Sequence, residues 1–423
     1  MERSVLKKSA ESNKYLPLTL LAITPSVLLP YLEFRDVLGI FSIFFLLFLF
    51  YSGKRIRFTL SNPGIETSYF NYYAISIILI VLTLSVPEYI AGASIFMVIA
   101  FELLSRVKKT KGASLINISV LTTFSVIYFL FYFVSTGLSY SIDFILFLSL
   151  IGGITGALIM SVDTESDKRV TLLLSTFTVF LIFNIYGFSA RFDQLFFAFI
   201  LSFILALSAM RAGVADESGL LSATLIGTLM IVFTDIRFFI VLLSFYIIGS
   251  FATKYRYSMK KEMGIEEPAG GTRGYANVFA NSLSALFFAM NYGVYGSDLF
   301  LVSFVASVAA ALGDTIASEI GKTSKKVYLI TNFERVRAGE SGGISLIGEI
   351  SALAGCGVIV LIAVLSGILP PSLSTIPLIA GFIAVHVDSV LGATLEKYGY
   401  LTNSGVNFFA TLSTMVFCYF LIL

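Results

Sequence analysis

The residues able to do chemistry gather after position 250. The run Gly313-Asp314-Thr315-Ile316-Ala317-Ser318-Glu319-Ile320-Gly321-Lys322 puts Asp314 and Ser318 four apart. At helical spacing these two share a face, with Thr315 and Glu319 on the adjoining one. A carboxylate at the edge of an apolar helix is costly unless it faces a polar cavity or a partner. A second carboxylate, Asp388, closes another apolar run beside His386 and Ser389. Asp314 and Asp388 together could hold Mg²⁺, which takes oxygen ligands and usually bridges to substrate phosphates.

Between them, Gly339-Glu340-Ser341-Gly342-Gly343-Ile344-Ser345 opens a long apolar stretch. A glycine-rich turn entering a helix offers backbone N–H groups and the positive end of the helix dipole to an anion. Gly339, Gly342, Gly343 and Ser345 would cradle phosphate, and Lys254, Lys322, Arg335 and Arg337 would neutralise its oxygens. Asn277 with Asn281, and Asn403 with Asn407, are pairs spaced by four near helix starts and would line the same site. The chemistry described is phosphoryl or nucleotidyl transfer to a lipid, where catalysis is mostly positioning and electrostatics. Asp314, Asp388, Glu319 and Lys254 are the expected catalytic group, with Glu319 orienting or assisting.

Each element also has a plainer reading. A Gly-Gly pair before a helix serves as a cap or a close helix crossing. Asparagines act as interhelical hydrogen-bond glue, His386 reads as a structural membrane histidine, and the basic runs double as topology determinants. The convergence of all of them within the last 170 or so residues is what points to a site.

The elements that must position these residues are set by composition. The chain has 423 residues, 57% hydrophobic and 13% charged, with mean hydropathy +0.91. Soluble domains carry about 25% charged residues, so this chain cannot cover a water-facing surface. Apolar runs of the length a bilayer needs are expected at 16–33, 37–51, 72–86, 88–105, 115–135, 142–161, 170–188, 194–212, 219–234, 237–253, 276–292, 298–313, 344–366, 375–391 and 405–422. That predicts an all-α, polytopic transmembrane bundle of about 14–15 helices, with a kink or break near Pro87. The polar stretch Met1–Lys14 precedes a run with no small-residue cleavage site, which predicts a retained first helix and no signal peptide.

With the N-terminus in the cytoplasm, only Arg35, Arg191 and Arg237 of the 28 Lys and Arg fall outside, as the positive-inside rule asks. The same map predicts a multi-pass protein of the cell membrane, with two long loops, 254–275 and 314–343, on the cytoplasmic side. A net charge of +2 gives no reason to expect nucleic acid as a partner. Cys356 and Cys418 sit in apolar runs and read as core residues.

The wording and order of several segments resemble the integral membrane family called domain of unknown function 92, which includes plant phytyl-phosphate kinase. The segments are SGLLSATLIGTL (218–229), GSFATKY (249–255), GTRGYANVFANSLSAL (271–286), AALGDTIASEIG (310–321), ERVRAGESGGISLIGEISALAG (334–355), VDSVLGATLE (387–396) and NSGVN (403–407). The resemblance spans about 200–423 and implies CTP-dependent phosphorylation of an isoprenoid monophosphate to its diphosphate, with CTP as co-substrate. A weaker similarity, in Gly313-Asp314, Ser318 and the 339–343 turn, is to phosphatidate cytidylyltransferases and to dolichol or phytol kinases.

Two domains are expected, 1–200 and 201–423. The first is a helical scaffold or a degenerate polyprenol kinase; FELLSRVKKTKG (101–112) and SVDTESDKR (161–169) suggest the latter. Two rival functions stand beside the kinase: a lipid cytidylyltransferase releasing pyrophosphate, and a transporter of lipid or small molecules. Transporters favour sites near the midplane, whereas the charges here are drawn to one face.

Overall fold

The computed structural model describes residues 23–52, 58–106, 113–265 and 271–423. These form α1 (Thr24–Leu28), α2 (Phe34–Ser52), α3 (Ile65–Leu82), α4 (Glu88–Arg106), α5 (Ala113–Thr136), α6 (Ile142–Ser161), α7 (Lys168–Tyr186), α8 (Phe192–Arg211), α9 (Glu217–Phe233), α10 (Ile236–Lys254), α11 (Tyr257–Glu262), α12 (Tyr275–Tyr295), α13 (Asp298–Gly321), α14 (Leu346–Leu365), α15 (Thr375–Leu391) and α16 (Asn403–Ile422). Eleven described helices are long and apolar enough to cross a membrane, and Glu217–Phe233 is a shorter apolar one. The chain is a polytopic all-α membrane protein. Helices are the form such a sequence must take, because in hydrocarbon every backbone N–H and C=O has to be satisfied within its own segment.

Most expected spans coincide with these helices, and the differences are local. The described part of the span expected at 16–33 holds only the five-residue α1; residues 1–22, with the expected N-terminal tail, lie outside the described residues. So do Lys54, Arg55, Arg57 and 107–112. The chain breaks fully before Pro87, giving two helices in place of a kink. Helix α13 runs on through Asp314 to Gly321, so the loop expected at 314–343 starts later. That loop contains a small antiparallel sheet of order β2-β1-β3, made of β1 (Val327–Leu329), β2 (Arg335–Val336) and β3 (Gly343–Ile344). Val327 pairs with Val336 and Leu329 with Gly343.

The chain divides into two compact units, Met1–Asp193 and Gln194–Leu423. In the first, α4 packs against α5 and α7, and α6 against α5 and α7. In the second, α13 is the central helix, with α10, α12, α14, α15 and α16 packed around it and its residues from Leu301 to Gly313 buried. Helix starts are capped by side chains the sequence supplies: Asp216 Oδ1 accepts from Gly219 N at 2.8 Å, Asp235 Oδ1 from Arg237 N at 2.7 Å, and Ser345 Oγ from Gly348 N at 3.2 Å.

Candidate active site

Chain direction alternates in the second unit. The C-terminal ends of α10, α13 and α15 therefore meet the N-terminal ends of α12, α14 and α16. A cavity of about 670 Å³ lies among these six ends. Nearly every polar residue singled out in the sequence lines it: Asn277, Asn281, Asp314, Ser318, Glu319, Lys322, Gly339, Gly342, Gly343, Ser345, Asp388, Ser389, Asn403 and Asn407.

Asp314 reaches this place because small residues let α13 sink between its neighbours. A Cβ added to Gly355 of α14 would lie 3.0 Å from the Cα of Gly313, and one on Gly313 would lie 2.7 Å from Cys356 Sγ. On the other side, a Cβ on Gly381 of α15 would meet Ala309 Cβ at 3.0 Å. The Gly313–Gly355 crossing comes one residue before Asp314, so backbone contact between two helices sets the depth of the carboxylate.

Asp388 comes from α15, which does not stop at Leu391 but continues as a π-helical segment, Gly392–Glu396. Such widened turns recur at functional sites, and this one brings Glu396 into the cavity wall. From α16, the Asn407 amide, turned to donate, reaches Asp388 Oδ2 at 3.1 Å and Asn403 O at 3.2 Å.

The glycine-rich turn is docked by glycine geometry. Gly339 and Gly342 have φ of +88° and +78°, and a Cβ on Gly342 would lie 2.4 Å from Ala393 Cβ and 2.6 Å from Ser389 O. The turn therefore lies against the π segment that follows Asp388. Its N–H groups are only partly available to a ligand: Glu340 N–H donates to Arg337 O and Gly343 N–H to Glu340 O, closing the turn itself. Gly343 lines the cavity with its N–H committed within the turn. Ser345 lines the cavity as the cap of α14.

Glu319 lines the cavity with both oxygens engaged. It is almost fully buried; Oε2 accepts from the buried Lys260 Nζ, and Oε1 lies 3.0 Å from Lys322 Nζ. Lys260 Nζ donates further to Thr253 O at 2.7 Å, so this carboxylate ties α10, α11 and α13 together. Lys254 and Arg337 are exposed and outside the cavity wall. Lys254 follows Thr253, which faces the cavity, by a 100° rotation of the helix, and Arg337 lies just past β2, where Arg335 is exposed and Val336 is half-buried against the sheet. The cations that line the wall are Lys322 and a residue missing from the expected site, Arg273.

Arg273 is 9% exposed, with its guanidinium carbon 5.2 Å from the Phe245 ring centroid and 5.4 Å from that of Tyr246. Its backbone bonds to Val214 O at 2.9 Å and accepts from Asp216 N at 3.2 Å, which anchors the loop before α12. An arginine between Thr272 and Gly274 at a helix start was the available signal. Glu349 was also missed. It lines the cavity one turn into α14, and its Oε2 lies 3.0 Å from His386 Nε2. His386 Nδ1 sits 2.9 Å from Phe382 O, so the ring holds Glu349 from behind and is itself outside the wall.

Asn281 Nδ2 donates to Asn277 O at 2.9 Å, while Asn277 Oδ1 is buried with no hydrogen-bond partner among the described residues. A polar atom left unsatisfied in a cavity wall marks a place for ligand or water. No group of three His, Cys, Asp or Glu that could hold a metal ion occurs among the described residues. Asp314 and Asp388 are a two-carboxylate set, which suits a cation completed by substrate phosphates and water.

The first unit carries a separate buried network. Arg169 Nε donates to Glu102 Oε1 at 2.5 Å, Arg169 Nη1 to Ser68 Oγ at 3.0 Å, and Ser68 Oγ to Asp167 Oδ1 at 2.6 Å. Asn71 Nδ2 donates to Asp167 Oδ2 at 2.9 Å. The two segments that suggested a degenerate kinase thus meet through Glu102, Asp167 and Arg169.

Fold and site together define an integral membrane protein whose second unit holds a polar cavity of ligand size at one end of its helices. The family model described as "Integral membrane protein DUF92" matches residues 200–415, and the chain belongs to that family. An uncharacterized membrane protein of Methanocaldococcus jannaschii is 32% identical over 222 residues, covering 52% of this chain and 90% of that one. The chloroplastic protein VTE6 of Arabidopsis thaliana is 31% identical over 217 residues, 49% of this chain and 65% of its own. Protein PGR of the same plant is 28% identical over 270 residues, 52% of this chain and 93% of its own. No solved structure matches the chain.

Proposed function

We propose that this protein is a membrane kinase that transfers the γ-phosphoryl group of CTP to an isoprenoid monophosphate, with its site on the cytoplasmic side of the cell membrane. The observation that carries the reading is the convergence of Asp314, Asp388, Lys322 and Arg273 on one cavity at the helix ends. The family resemblance supports the choice of nucleotide and acceptor. The orientation rests on the basic residues, since the cavity end of the second unit bears Lys254, Lys322 and Lys397 while the opposite end bears Arg237.

In the reaction, an acceptor phosphate oxygen forms a bond to the γ-phosphorus while the β–γ bridging P–O bond breaks, so CDP leaves with the electron pair. No protein base is required, because a phosphate monoester has its second pKa near 6 and is largely dianionic at neutral pH. Asp314 and Asp388 would hold Mg²⁺, which would supply charge neutralisation for the phosphate oxygens. Asn407 orients Asp388, and Lys322 and Arg273 face the phosphate oxygens. Asn277 and Asn281 complete the wall with amide donors and acceptors. On this reading the chemistry takes place at the helix ends, where a lipid headgroup would reach it from the bilayer.

The test is label transfer by purified protein in lipid from γ-³²P CTP to geranylgeranyl or phytyl phosphate, with α-labelled CTP in parallel. A diphosphate labelled from the γ position, lost in Asp314→Asn, is the expected result. Lipid carrying the α label would make the protein a cytidylyltransferase instead. No labelled lipid with several nucleotides would sink the transfer reading and favour the transporter.

A further inference from the structure

Arg273 belongs to two cavities. Beside the polar one lies a second, apolar pocket of about 90 Å³ among α8, α9, α10 and α12, and Arg273 lines both. Its wall combines small residues, such as Ala206, Ala209 and Ala223, with larger apolar ones such as Phe239 and Leu242. Among the described residues, Ser202, Tyr246 and Arg273 bring the only side-chain polar atoms to this wall, and the Tyr246 hydroxyl is engaged with Ser282 Oγ at 2.5 Å. The same Tyr246 ring packs 5.4 Å from the arginine. A cation at the boundary between a phosphate-sized polar space and a hydrocarbon-lined one matches an amphiphile whose charge and chain are directly joined.

We propose that this pocket receives the hydrocarbon nearest the phosphate of a single-chain lipid phosphate, while Arg273 holds the phosphate itself at the shared wall. The inference rests on the kinase reading for the identity of the lipid as a prenyl phosphate. Size limits what enters: an apolar cavity of about 150 Å³ holds the six carbons of a benzene ring, so 90 Å³ admits only the first few carbons, about three or four, of the chain. The remaining chain continues outside the pocket. A diacylglycerol phosphate fits poorly, because its ester carbonyls would enter a wall with almost no donors to meet them. The pocket thus selects lipids whose phosphate is attached straight to a branched or linear hydrocarbon.

The arrangement also gives Arg273 a role that position alone would not suggest. Phe245 and Tyr246 pack beside the guanidinium and keep it largely out of bulk water. The small residues nearby are what leave space. Gly227 illustrates how closely the neighbouring helices pack: a Cβ there would lie 2.6 Å from Ser202 Oγ and 2.8 Å from Phe239 Cε2.

The experiment is cysteine protection in the full chain in lipid, using Ala223→Cys, with Ala209→Cys as a second reporter and wild type controlling for the buried Cys356 and Cys418. Geranylgeranyl phosphate is expected to slow maleimide alkylation at least about fivefold, while inorganic pyrophosphate and dioleoyl phosphatidate leave it unchanged. Protection by pyrophosphate to the same extent, or no protection at either reporter by the prenyl phosphate, overturns the proposal. In parallel, Ala223→Leu should raise the KM for geranylgeranyl phosphate about tenfold with little change in the KM for CTP. Label transfer without protection removes the pocket and leaves the kinase; protection without transfer keeps the pocket and removes the kinase.

Discussion

Asn407 Nδ2 lies 3.1 Å from Asp388 Oδ2, so the last helix fixes the orientation of a carboxylate carried by the helix before it. The same amide also reaches Asn403 O at 3.2 Å, which fastens it to its own first turn. Asp388 is therefore presented to the cavity by two helices.

Replacing Asn407 by Leu is expected to lower transfer about 10–100-fold, the range for partners that orient a metal-holding carboxylate. The concentration of Mg²⁺ needed for half-maximal rate should rise with it, while the KM for CTP at saturating Mg²⁺ changes little. A normal Mg²⁺ dependence in Asn407→Leu would remove Asp388 from metal binding.

The two carboxylates themselves should be far more sensitive. Asp314→Asn and Asp388→Asn preserve shape and remove charge, and each is expected to cost about 10²–10³-fold or more in kcat. Monodisperse elution in detergent checks that folding is intact. If either variant keeps full activity, that residue is not part of the chemistry.

Lys260 and Glu319 form a buried ion pair, with Lys260 wholly inaccessible. Removing Lys260 leaves the buried Glu319 carboxylate with Lys322 at 3.0 Å as its remaining cation and costs up to about 3–5 kcal/mol, the figure for a wholly stranded charge. Lys260→Met should therefore lower stability strongly in detergent–SDS titration, and the double change Lys260→Met with Glu319→Leu should recover much of it. Residual transfer by the folded double variant is expected, since both Glu319 oxygens already meet lysines, Lys260 and Lys322. A double variant that is stable but inactive would restore Glu319 to the chemistry.

In the first unit, Arg169→Ala strands Glu102, whose side chain is 8% exposed, and should destabilise that unit by about 3–5 kcal/mol. Label transfer per folded molecule should stay within about twofold of wild type. A stable Arg169→Lys protein that loses transfer would instead give the first unit a part in the reaction.

Gly342 has φ +78° and no space for a Cβ beside Ala393 and Ser389. Gly342→Ala is expected to lift the glycine-rich turn from the π segment and reduce transfer. Gly357, where a Cβ meets nothing within 4 Å, should tolerate Ala with activity unchanged. Equal effects of the two substitutions would mean that general helix packing, and not the docked turn, governs the rate.

Composition by itself determined that this chain is a bundle of membrane helices, because 13% charged residues cannot solvate a globule of this length and apolar runs in a bilayer can only be helical. Spacing of four along a helix was enough to place Asp314 with Ser318 and Asn277 with Asn281 on common faces. Chain alternation then brought the polar helix ends to one side. What spacing could not reveal was which groups already have partners. Glu319 reads in the sequence as one more carboxylate of the site, and only the fold sets Lys260, from a short helix between spans, against it. Lys254 and Thr253 are neighbours in sequence, and only the rotation of α10 decides that Thr253 lines the cavity and Lys254 does not. Arg273 was legible as a cation between small residues, but its place at the wall of two cavities depends on α8, α9, α10 and α12 meeting around it. Local periodicity is written in the order of residues, whereas ion pairing and cavity walls depend on distances between segments that the order alone leaves open.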